Sequence, residues 1–366
     1  MKIGILWKSN KANERRYPLH WSHINELDKS MMDKLFFESN YPSLEKIHKS
    51  VNVLTRKEIF ENCDIVILPK PDPADYKDFR LNQILWGWPH TVQGFNITDL
   101  AIEKKLTYLA WENMHNWTNG VKKEHIFSRN NELAGYAAVN HFMELNGMTP
   151  GVYGENLKIA VLGYGSTAKG AINALIGLGA TDITVFSKRN KFQIVDAIKN
   201  VKYDTYSFLN KTVNIGGDLA SKTLIDYDLI VNCVLQDPTN PMIFIKENEI
   251  LNKKLNIIDI SCDKGMAFDF AIPTSFENPI IESSKYIYYG VDHTPSYFWN
   301  SASFEISGAL FPFLKYILQN NTYRGNDILE KSVDIENGIV MNPAILEFQN
   351  RETVYPYKKI QNNRNE

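Results

Sequence analysis

The 366-residue chain has few of the features that mark secreted, membrane or nucleic-acid-binding proteins. It has three cysteines, Cys63, Cys233 and Cys262, and no Cys-x-x-Cys pair, which argues against a disulfide framework or a thiolate zinc site. His20 and His23 have a spacing that could ligate a metal, but no partner ligand has a matching spacing, so we predict no metal. No apolar run approaches the roughly 20 residues of a membrane span. The formal charge of -2 gives no general attraction to nucleic acid or anionic membrane, and we expect a cytoplasmic protein.

The length and the 44% hydrophobic content predict two domains, each with its own core. Short aliphatic runs alternate with helical patterns in two sets, which is typical of parallel sheets. We therefore predict an α/β fold of two Rossmann-like, doubly wound parallel-sheet domains with an interdomain cleft. Residues 1–135 plus 300–366 should form the substrate and catalytic domain, and 136–299 the dinucleotide-binding domain.

The predicted elements are assigned from apolar spacing and from turn residues. The helix 131–146 should connect the two domains, and the helix 301–319 should return the chain to the first one. Beyond about residue 330 the chain is polar, and the pattern leaves its packing open. The predicted strands are 2–7, 51–55, 63–68, 83–88, 105–110, 157–162, 182–186, 201–206, 224–234, 255–260 and 286–291.

A glycine-rich turn gives the strongest local signal. The predicted strand 157–162 leads directly into Gly163-x-Gly165-x-x-Ala168, and a helix of small residues follows. In dinucleotide-binding folds such a turn brings the backbone close to a pyrophosphate, which lies at the helix N-terminus. The residues expected to bind the cofactor phosphates are Gly163, Gly165, Ser166, Thr167 and Ala168.

The end of the next strand indicates which dinucleotide binds. In NAD-binding proteins a carboxylate about 20 residues after the glycines binds the ribose. Here the residues are Ser187, Lys188 and Arg189, and these suit a 2′-phosphate, so NADP is predicted. The alternative is an ordinary solvated turn. Val234 and Leu235, at the end of the fourth strand, should cover the cofactor.

Polar residues follow the strands of the first domain. Arg15 and Arg16 come after the first strand, and Lys70, His90 and Glu112 each follow a later one. Because ligands bind at the carboxyl ends of parallel strands, these side chains should meet at one edge. Taken singly, Lys70 is more typical of a surface turn and His90 of a hydrogen-bonded core residue. Their shared placement favours a site with three cations, an imidazole and an acid.

Several short segments, in this order, match a known family. Their order and spacing resemble the alanine dehydrogenase and transhydrogenase superfamily from residue 1 to about 320. Within it the chain is most similar to the N(5)-(carboxyethyl)ornithine synthase family, while Asp292 and His293 resemble saccharopine dehydrogenase. The matching segments are 13–19, 69–70, 87–90, 110–112, 132–138, 163–168, 232–235, 259–265 and 292–296.

The resemblance implies that a 2-oxo acid, pyruvate first, is condensed with the side-chain amine of ornithine or lysine and reduced by NADPH. It places Arg16 on the oxo-acid carboxylate, makes Lys70 and His90 acid and base, and puts Asp263 near the nicotinamide and the reacting carbon. It also implies a homo-oligomer. The substrate-binding residues on this interpretation are Arg15, Arg16, Glu112 and His293.

Two alternatives remain open from the sequence. Alanine dehydrogenases usually carry an acid where this chain has Ser187-Lys-Arg, which argues against that enzyme itself. An alanine dehydrogenase- or saccharopine dehydrogenase-type amino-acid dehydrogenase is nevertheless the second interpretation. The third, from another class, is a catalytically silent regulator that binds NADP.

Overall fold

The chain divides into two units in a computed structural model that describes residues 1–9, 11–237, 240–251 and 253–360. The first unit consists of Met1–Phe127 and the chain from Trp299 onward, and the second is Ser128–Phe298. The sequence pattern put a boundary at 135/136. That position lies inside one continuous helix, Ser128–Leu145, and the whole helix belongs to the second unit.

The first unit is built on an eight-stranded sheet in which six strands are parallel. These six follow the spatial order 3-2-1-4-5-6 of doubly wound nucleotide-binding folds. The strand Ile65–Leu68 is apolar and buried along its whole length, as in sheets covered on both faces. From edge to edge the strands are Asn52–Leu54, Leu35–Glu38, Ile3–Ile5, Ile65–Leu68, Ile84–Gly87, Thr107–Ala110, Val333–Glu336 and Ile339–Val340.

The segment after residue 330 is an integral part of this sheet. Val333–Glu336 pairs antiparallel with Thr107–Ala110, and the carbonyl of Ser332 accepts a hydrogen bond of 2.8 Å from the amide of Ala110. Ile335 and Ile345 are fully buried, and Ile335 stands between Asp334 and Glu336, so the sequence pattern left the packing of this strand open.

Helices cover the sheet of the first unit. Arg56–Asn62 begins with a capping box. The Thr55 side chain accepts a hydrogen bond from the Glu58 amide, and the Glu58 side chain accepts one from the Thr55 amide. The long helix Trp299–Asn320 packs apolar side chains, among them Ile306, Leu310 and Leu314, into the core of this unit. A hairpin of His115–Thr118 and Val121–His125 lies apart from the main sheet. The α-helices are Trp21–Ile24, Lys29–Met32, Arg56–Asn62, Phe95–Glu103, Trp299–Asn320, Asp327–Lys331 and Pro343–Phe348.

The second unit repeats the same parallel arrangement. Six of its nine sheet strands are parallel and again follow the order 3-2-1-4-5-6, with antiparallel strands added at both edges. From edge to edge the strands are Asp218–Leu219, Thr212–Ile215, Lys202–Leu209, Asp182–Ser187, Lys158–Leu162, Leu229–Asn232, Leu255–Asp259, Tyr286–Tyr289 and Ile280–Glu282.

Two helices of the second unit touch backbone to backbone. A Cβ atom added at Gly135 would lie 1.9 Å from the carbonyl oxygen of Thr167, and one at Gly170 would lie 1.7 Å from that of Glu132. Only glycine permits this approach, which fixes the helix of the glycine turn against its neighbour. The α-helices are Ser128–Leu145, Ser166–Gly177 and Ala220–Leu224, and Ile243–Ile245 pairs with Ala267–Phe268 in a separate small sheet.

The predicted α/β class and the doubly wound sheets are confirmed. The sequence pattern missed the strand Leu35–Glu38. Its four residues do not alternate between apolar and polar side chains, and they follow a short helix. Within the described residues, no helix is long and apolar enough to cross a bilayer.

Candidate active site

The polar residues of the first unit follow the strands around its topological switch point. This point lies between Ile3–Ile5 and Ile65–Leu68, where the strand order reverses. Lys70 comes two residues after the second of these strands, and His90 and Glu112 follow the next two strands of the sheet. The sheet therefore brings the ends that carry these residues to one edge.

Arg16 is buried and held by a carboxylate that the sequence analysis did not assign. Its Nε and Nη2 donate hydrogen bonds of 2.8 and 2.6 Å to the two carboxylate oxygens of Glu14, and its guanidinium lies 5.3 Å from the ring centre of Trp88. Burial alone would raise the pKa of Glu14, but the hydrogen bonds and charge of Arg16, with the charge of Lys70, lower it to about 2. Arg16 is thus fixed in one orientation by an ionised glutamate.

Arg15 has a different environment. Its side chain is exposed, and its guanidinium lies 4.8 Å from the ring centre of Trp299. The adjacent arginines therefore point to different surroundings, one buried and ion-paired, the other stacked on an indole at the surface.

His90 and Glu112 form a direct pair. Glu112 Oε1 accepts a hydrogen bond of 2.8 Å from the amide of His90 and lies 3.1 Å from its Nδ1. The other carboxyl oxygen, Oε2, is buried and has no hydrogen-bond partner among the described residues. Burial raises the pKa of Glu112 to about 8, and the negative charge of Asp334 raises it further. Hydrogen bonds from the backbone and the positive charge of Lys70 lower the pKa, but by less. Near neutral pH this carboxyl therefore keeps its proton.

The positive charge of Lys70 acts on both Glu14 and Glu112. Lys70 is half-buried, its carbonyl accepts a hydrogen bond of 3.1 Å from Ser9 Oγ, and its charge lowers the pKa of both Glu14 and Glu112. Arg16, Lys70, His90 and Glu112 thus lie in one cluster at the strand ends, whereas Arg15 lies on Trp299. We call these four residues together with Glu14 the strand-end cluster.

The glycine turn of the second unit begins directly after Lys158–Leu162. Gly163 has a φ of 89°, and its amide donates a hydrogen bond of 2.7 Å to the carbonyl of Phe186. At Gly165, the N-cap of Ser166–Gly177, an added Cβ would meet no described atom within 4 Å. The space around Gly165 is therefore open, and a ligand such as a pyrophosphate could approach the helix N-terminus there. Ala168 is fully buried against the sheet.

The predicted ribose-binding residues follow Asp182–Ser187. Ser187 is buried and its Oγ donates a hydrogen bond of 2.9 Å to the carbonyl of Arg189. Lys188 and Arg189 are exposed, and Arg189 Nη2 also donates to the carbonyl of Tyr164, between the two glycines. The cationic turn is therefore tied to the glycine turn.

Sequence reasoning missed an acid near this turn. Asp196 pairs with Lys169, and its charge also acts on Arg189, while its carbonyl accepts a hydrogen bond of 2.6 Å from the Tyr164 hydroxyl. Asp196 comes after the strand end at which an acid is expected, so spacing alone gave no signal for it.

The remaining predicted residues lie along the same sheet of the second unit. Val234 is buried, whereas Leu235 is 92% exposed. Asp263 is half-buried, and burial together with the charge of Asp292 raises the pKa of its carboxyl. His293 is buried against Phe276, with ring centres 4.9 Å apart.

Comparisons with known proteins agree with this architecture. Residues 133–343, more than half of the chain, match the family model described as alanine dehydrogenase/PNT, C-terminal domain. The chain is 27% identical over 329 residues to N(5)-(carboxyethyl)ornithine synthase of Clostridium botulinum, covering 84% of this chain and 92% of that protein. It is 28% identical over 325 residues to the enzyme of the same name from Lactococcus lactis, covering 85% and 94%. A solved L-alanine dehydrogenase superposes with a TM-score of 0.76 at 19% identity, covering 95% of this chain and 99% of that one.

The two doubly wound sheets and the glycine turn define an oxidoreductase that uses a nicotinamide cofactor. The chain belongs to the alanine dehydrogenase/PNT family.

Proposed function

We propose that this protein joins a 2-oxo acid, pyruvate first, to the side-chain amine of ornithine or lysine and reduces the imine with NADPH. The strand-end cluster is the observation that carries the proposal, because it combines a fixed guanidinium, an amine and an imidazole–carboxyl pair. The similarity to two proteins named N(5)-(carboxyethyl)ornithine synthase supports this choice of substrates.

Arg16 is proposed to bind the carboxylate of the oxo acid. Glu14 fixes the plane of its guanidinium, and a carboxylate is best recognised by a guanidinium held in one orientation. The positive charge of Lys70 acts on the same glutamate. Arg15 and His293 stay predicted substrate-binding residues.

Imine formation requires that a proton leave the attacking amine and that another reach the departing hydroxyl. Lys70 and His90 are proposed as the acid and base. Because the pKa of Glu112 is raised to about 8, this carboxyl carries a proton near neutral pH and can share it with His90, whose Nδ1 is 3.1 Å away. Water leaves as the imine forms. Asp263 stays a predicted catalytic residue of the second unit.

NADPH is the proposed cofactor and would supply the hydride that reduces the imine carbon. The glycine turn with the N-terminus of Ser166–Gly177 would hold the pyrophosphate. Lys188 and Arg189 would bind the 2′-phosphate, and Arg189 already lies against the glycine turn through its bond to Tyr164. A cytoplasmic location and a homo-oligomeric assembly stay predictions.

The test is a substrate matrix followed by the absorbance of the reduced nicotinamide. Purified protein receives NADPH or NADH with pyruvate and, in turn, ornithine, lysine, alanine or ammonia. We expect oxidation of NADPH only when pyruvate and a diamino acid are both present, with a secondary-amine product identified by mass. Turnover with ammonia alone would instead assign an alanine dehydrogenase-type reaction, and cofactor binding without turnover in every combination would support the regulator.

A further inference from the structure

Asp334 lies beneath the His90–Glu112 pair. It is on the strand Val333–Glu336 and is 3% exposed. Its carboxylate accepts hydrogen bonds from Thr91 Oγ1 and from Asn113 Nδ2, the latter at 2.6 Å. Thr91 and Asn113 are the residues directly after His90 and Glu112. One buried carboxylate therefore binds both segments that carry the pair.

Residues later in the chain also bind Asp334 and the His90 segment. Asn342 Nδ2 donates a third hydrogen bond of 2.8 Å to the Asp334 carboxylate, and the Asp334 carbonyl accepts from the amides of Met341 and Asn342 at 2.8 and 3.1 Å. Further along the chain, Gln349 Nε2 donates a bond of 2.7 Å to the carbonyl of Thr91. The His90 segment is thus held twice by residues that follow position 330.

The segment needs this support because its backbone is strained. His90 has a φ of 49°, a left-handed conformation that is unfavourable for a residue with a Cβ. The conformation lets the His90 amide reach Glu112 Oε1 at 2.8 Å. Without the bonds to Thr91, the chain could relax and the imidazole would move away from the carboxyl.

We propose that Asp334 is a positioning residue that fixes the His90–Glu112 pair, so that the segment after residue 330 completes the active site. The proposal rests on the proposed function, because it assumes that His90 and Glu112 take part in proton transfer. Asp334 itself contacts Thr91, Asn113 and Asn342, and it acts on the reaction through the first two, which adjoin His90 and Glu112.

The charge of Asp334 gives a signature that a purely structural role would lack. The charged and titratable groups that act on Glu112 are the His90 imidazole, Lys70 and Asp334. Asp334 raises the pKa of Glu112, so its neutralisation should let Glu112 ionise at lower pH. Loss of packing alone would lower the melting temperature without moving this titration in that direction.

The experiment compares Asp334→Asn with Asn342→Ala in the full-length protein. Asp334→Asn should lower kcat on the order of 10- to 100-fold, since small displacements of catalytic groups have effects of this size. The affinity for NADPH should not change, and the pH-rate limb that belongs to Glu112 should move to lower pH. Asn342→Ala, which leaves the bonds to Thr91 and Asn113 intact, should keep the parent pH profile. An unchanged kcat and pH profile in Asp334→Asn would overturn the proposal.

Two further measurements keep the test decisive. If Asp334→Asn does not fold, Thr91→Val removes one of the bonds from the other side and should lower kcat in the same direction. The Glu112 titration is also followed without substrate by carbon NMR of carboxyl-labelled glutamate, with the signal assigned through Glu112→Gln. If the parent fails to condense pyruvate with an amine, the proposed function has failed, whereas the NMR shift in Asp334→Asn still decides whether Asp334 governs the pair. A Glu112 titration unchanged in that variant contradicts the inference.

Discussion

The two units place different chemistry at the same position of a similar sheet. Both have six parallel strands in the order 3-2-1-4-5-6. In the first unit the strand ends carry ionisable side chains, and the charge of Lys70 acts on both Glu14 and Glu112. In the second unit the first strand is followed by the turn from Gly163 to Gly165, which offers backbone groups in place of ionisable side chains. Under the proposed function, the same arrangement of strands serves proton transfer in the first unit and phosphate binding in the second, depending on which residues follow the strands.

The difference is sharpest between two glutamates of the first unit. Glu14 faces Arg16, and its pKa falls to about 2. Glu112 is half-buried, its Oε2 is buried without a hydrogen-bond partner among the described residues, and its pKa rises to about 8. Under the proposed function, Glu14 is a fixed anion and Glu112 a proton carrier. The four predictions below test the contrast between the units and between these two residues.

The largest effect is expected from Lys70→Ala, which should lower kcat by roughly 100-fold or more, the usual contribution of an acid–base group. NADPH affinity should stay at the parent value, because the predicted cofactor residues belong to the second unit. Lys77→Ala removes an exposed lysine a few residues away and serves as the control. Steady-state kinetics and fluorescence titration with NADPH measure the two quantities. Equal kcat in both variants would remove Lys70 from the reaction.

Gly165→Val should weaken cofactor binding, whereas Lys70→Ala should lower kcat and leave cofactor affinity unchanged. A Cβ at Gly165, the N-cap of the helix, meets no described atom within 4 Å, so we expect the protein to fold. The Kd for the cofactor should rise roughly 10- to 100-fold, since backbone can no longer approach the pyrophosphate. Gly177→Val is the matched control, because a Cβ there also meets no described atom and lies at the other end of the same helix. Similar affinities in the two variants would contradict the assigned phosphate site.

A smaller effect is expected for Arg189→Ala, which should weaken NADPH binding about 10-fold and leave NADH binding nearly unchanged. The variant also loses the bond to the Tyr164 carbonyl, so Lys191→Ala, which removes an exposed lysine of the same segment, is the control. The measurement is the ratio of the two Kd values. A parallel loss for NADH and NADPH would show that Arg189 supports the glycine turn rather than the 2′-phosphate.

Much of the fold could be predicted from the sequence because the signals are local. The strand 157–162 followed by closely spaced glycines can be recognised in one window of sequence. Four residues of the strand-end cluster, all except Glu14, could be predicted only by combining strand positions with the rule for parallel sheets, and they were identified one strand at a time.

The residues that were missed depend on contacts distant in sequence. Asp334 is more than two hundred residues from Thr91 and Asn113, and nothing near it marks it as part of a site. Glu14 is local, but its pairing with Arg16 depends on burial, which the sequence does not state. Asp196 pairs with Lys169 of the helix Ser166–Gly177, and its charge acts on Arg189 of another segment.

The smallest effect concerns stability and pH, and it separates the two glutamates. The folded pKa of Glu112, about 8, lies above the ordinary value of 4.5, so the folded state binds more protons than the unfolded state between these values. The contribution of Glu112 to the free energy of unfolding is therefore lost as pH rises through this window. Glu14, at about 2, behaves oppositely, and its contribution is lost as pH falls below 4.5.

Thermal unfolding at about pH 5 and about pH 8 tests this sign. Glu112→Gln keeps the shape of the protonated acid, so its melting temperature should fall less between the two pH values than that of the parent. Glu124→Gln, at an exposed glutamate of the hairpin, should follow the parent curve. If Glu112→Gln and the parent lose stability in parallel, Glu112 is ionised in the folded protein at neutral pH. The proton for the departing hydroxyl would then have to come from Lys70 or His90 alone, which makes this small difference informative about the reaction itself.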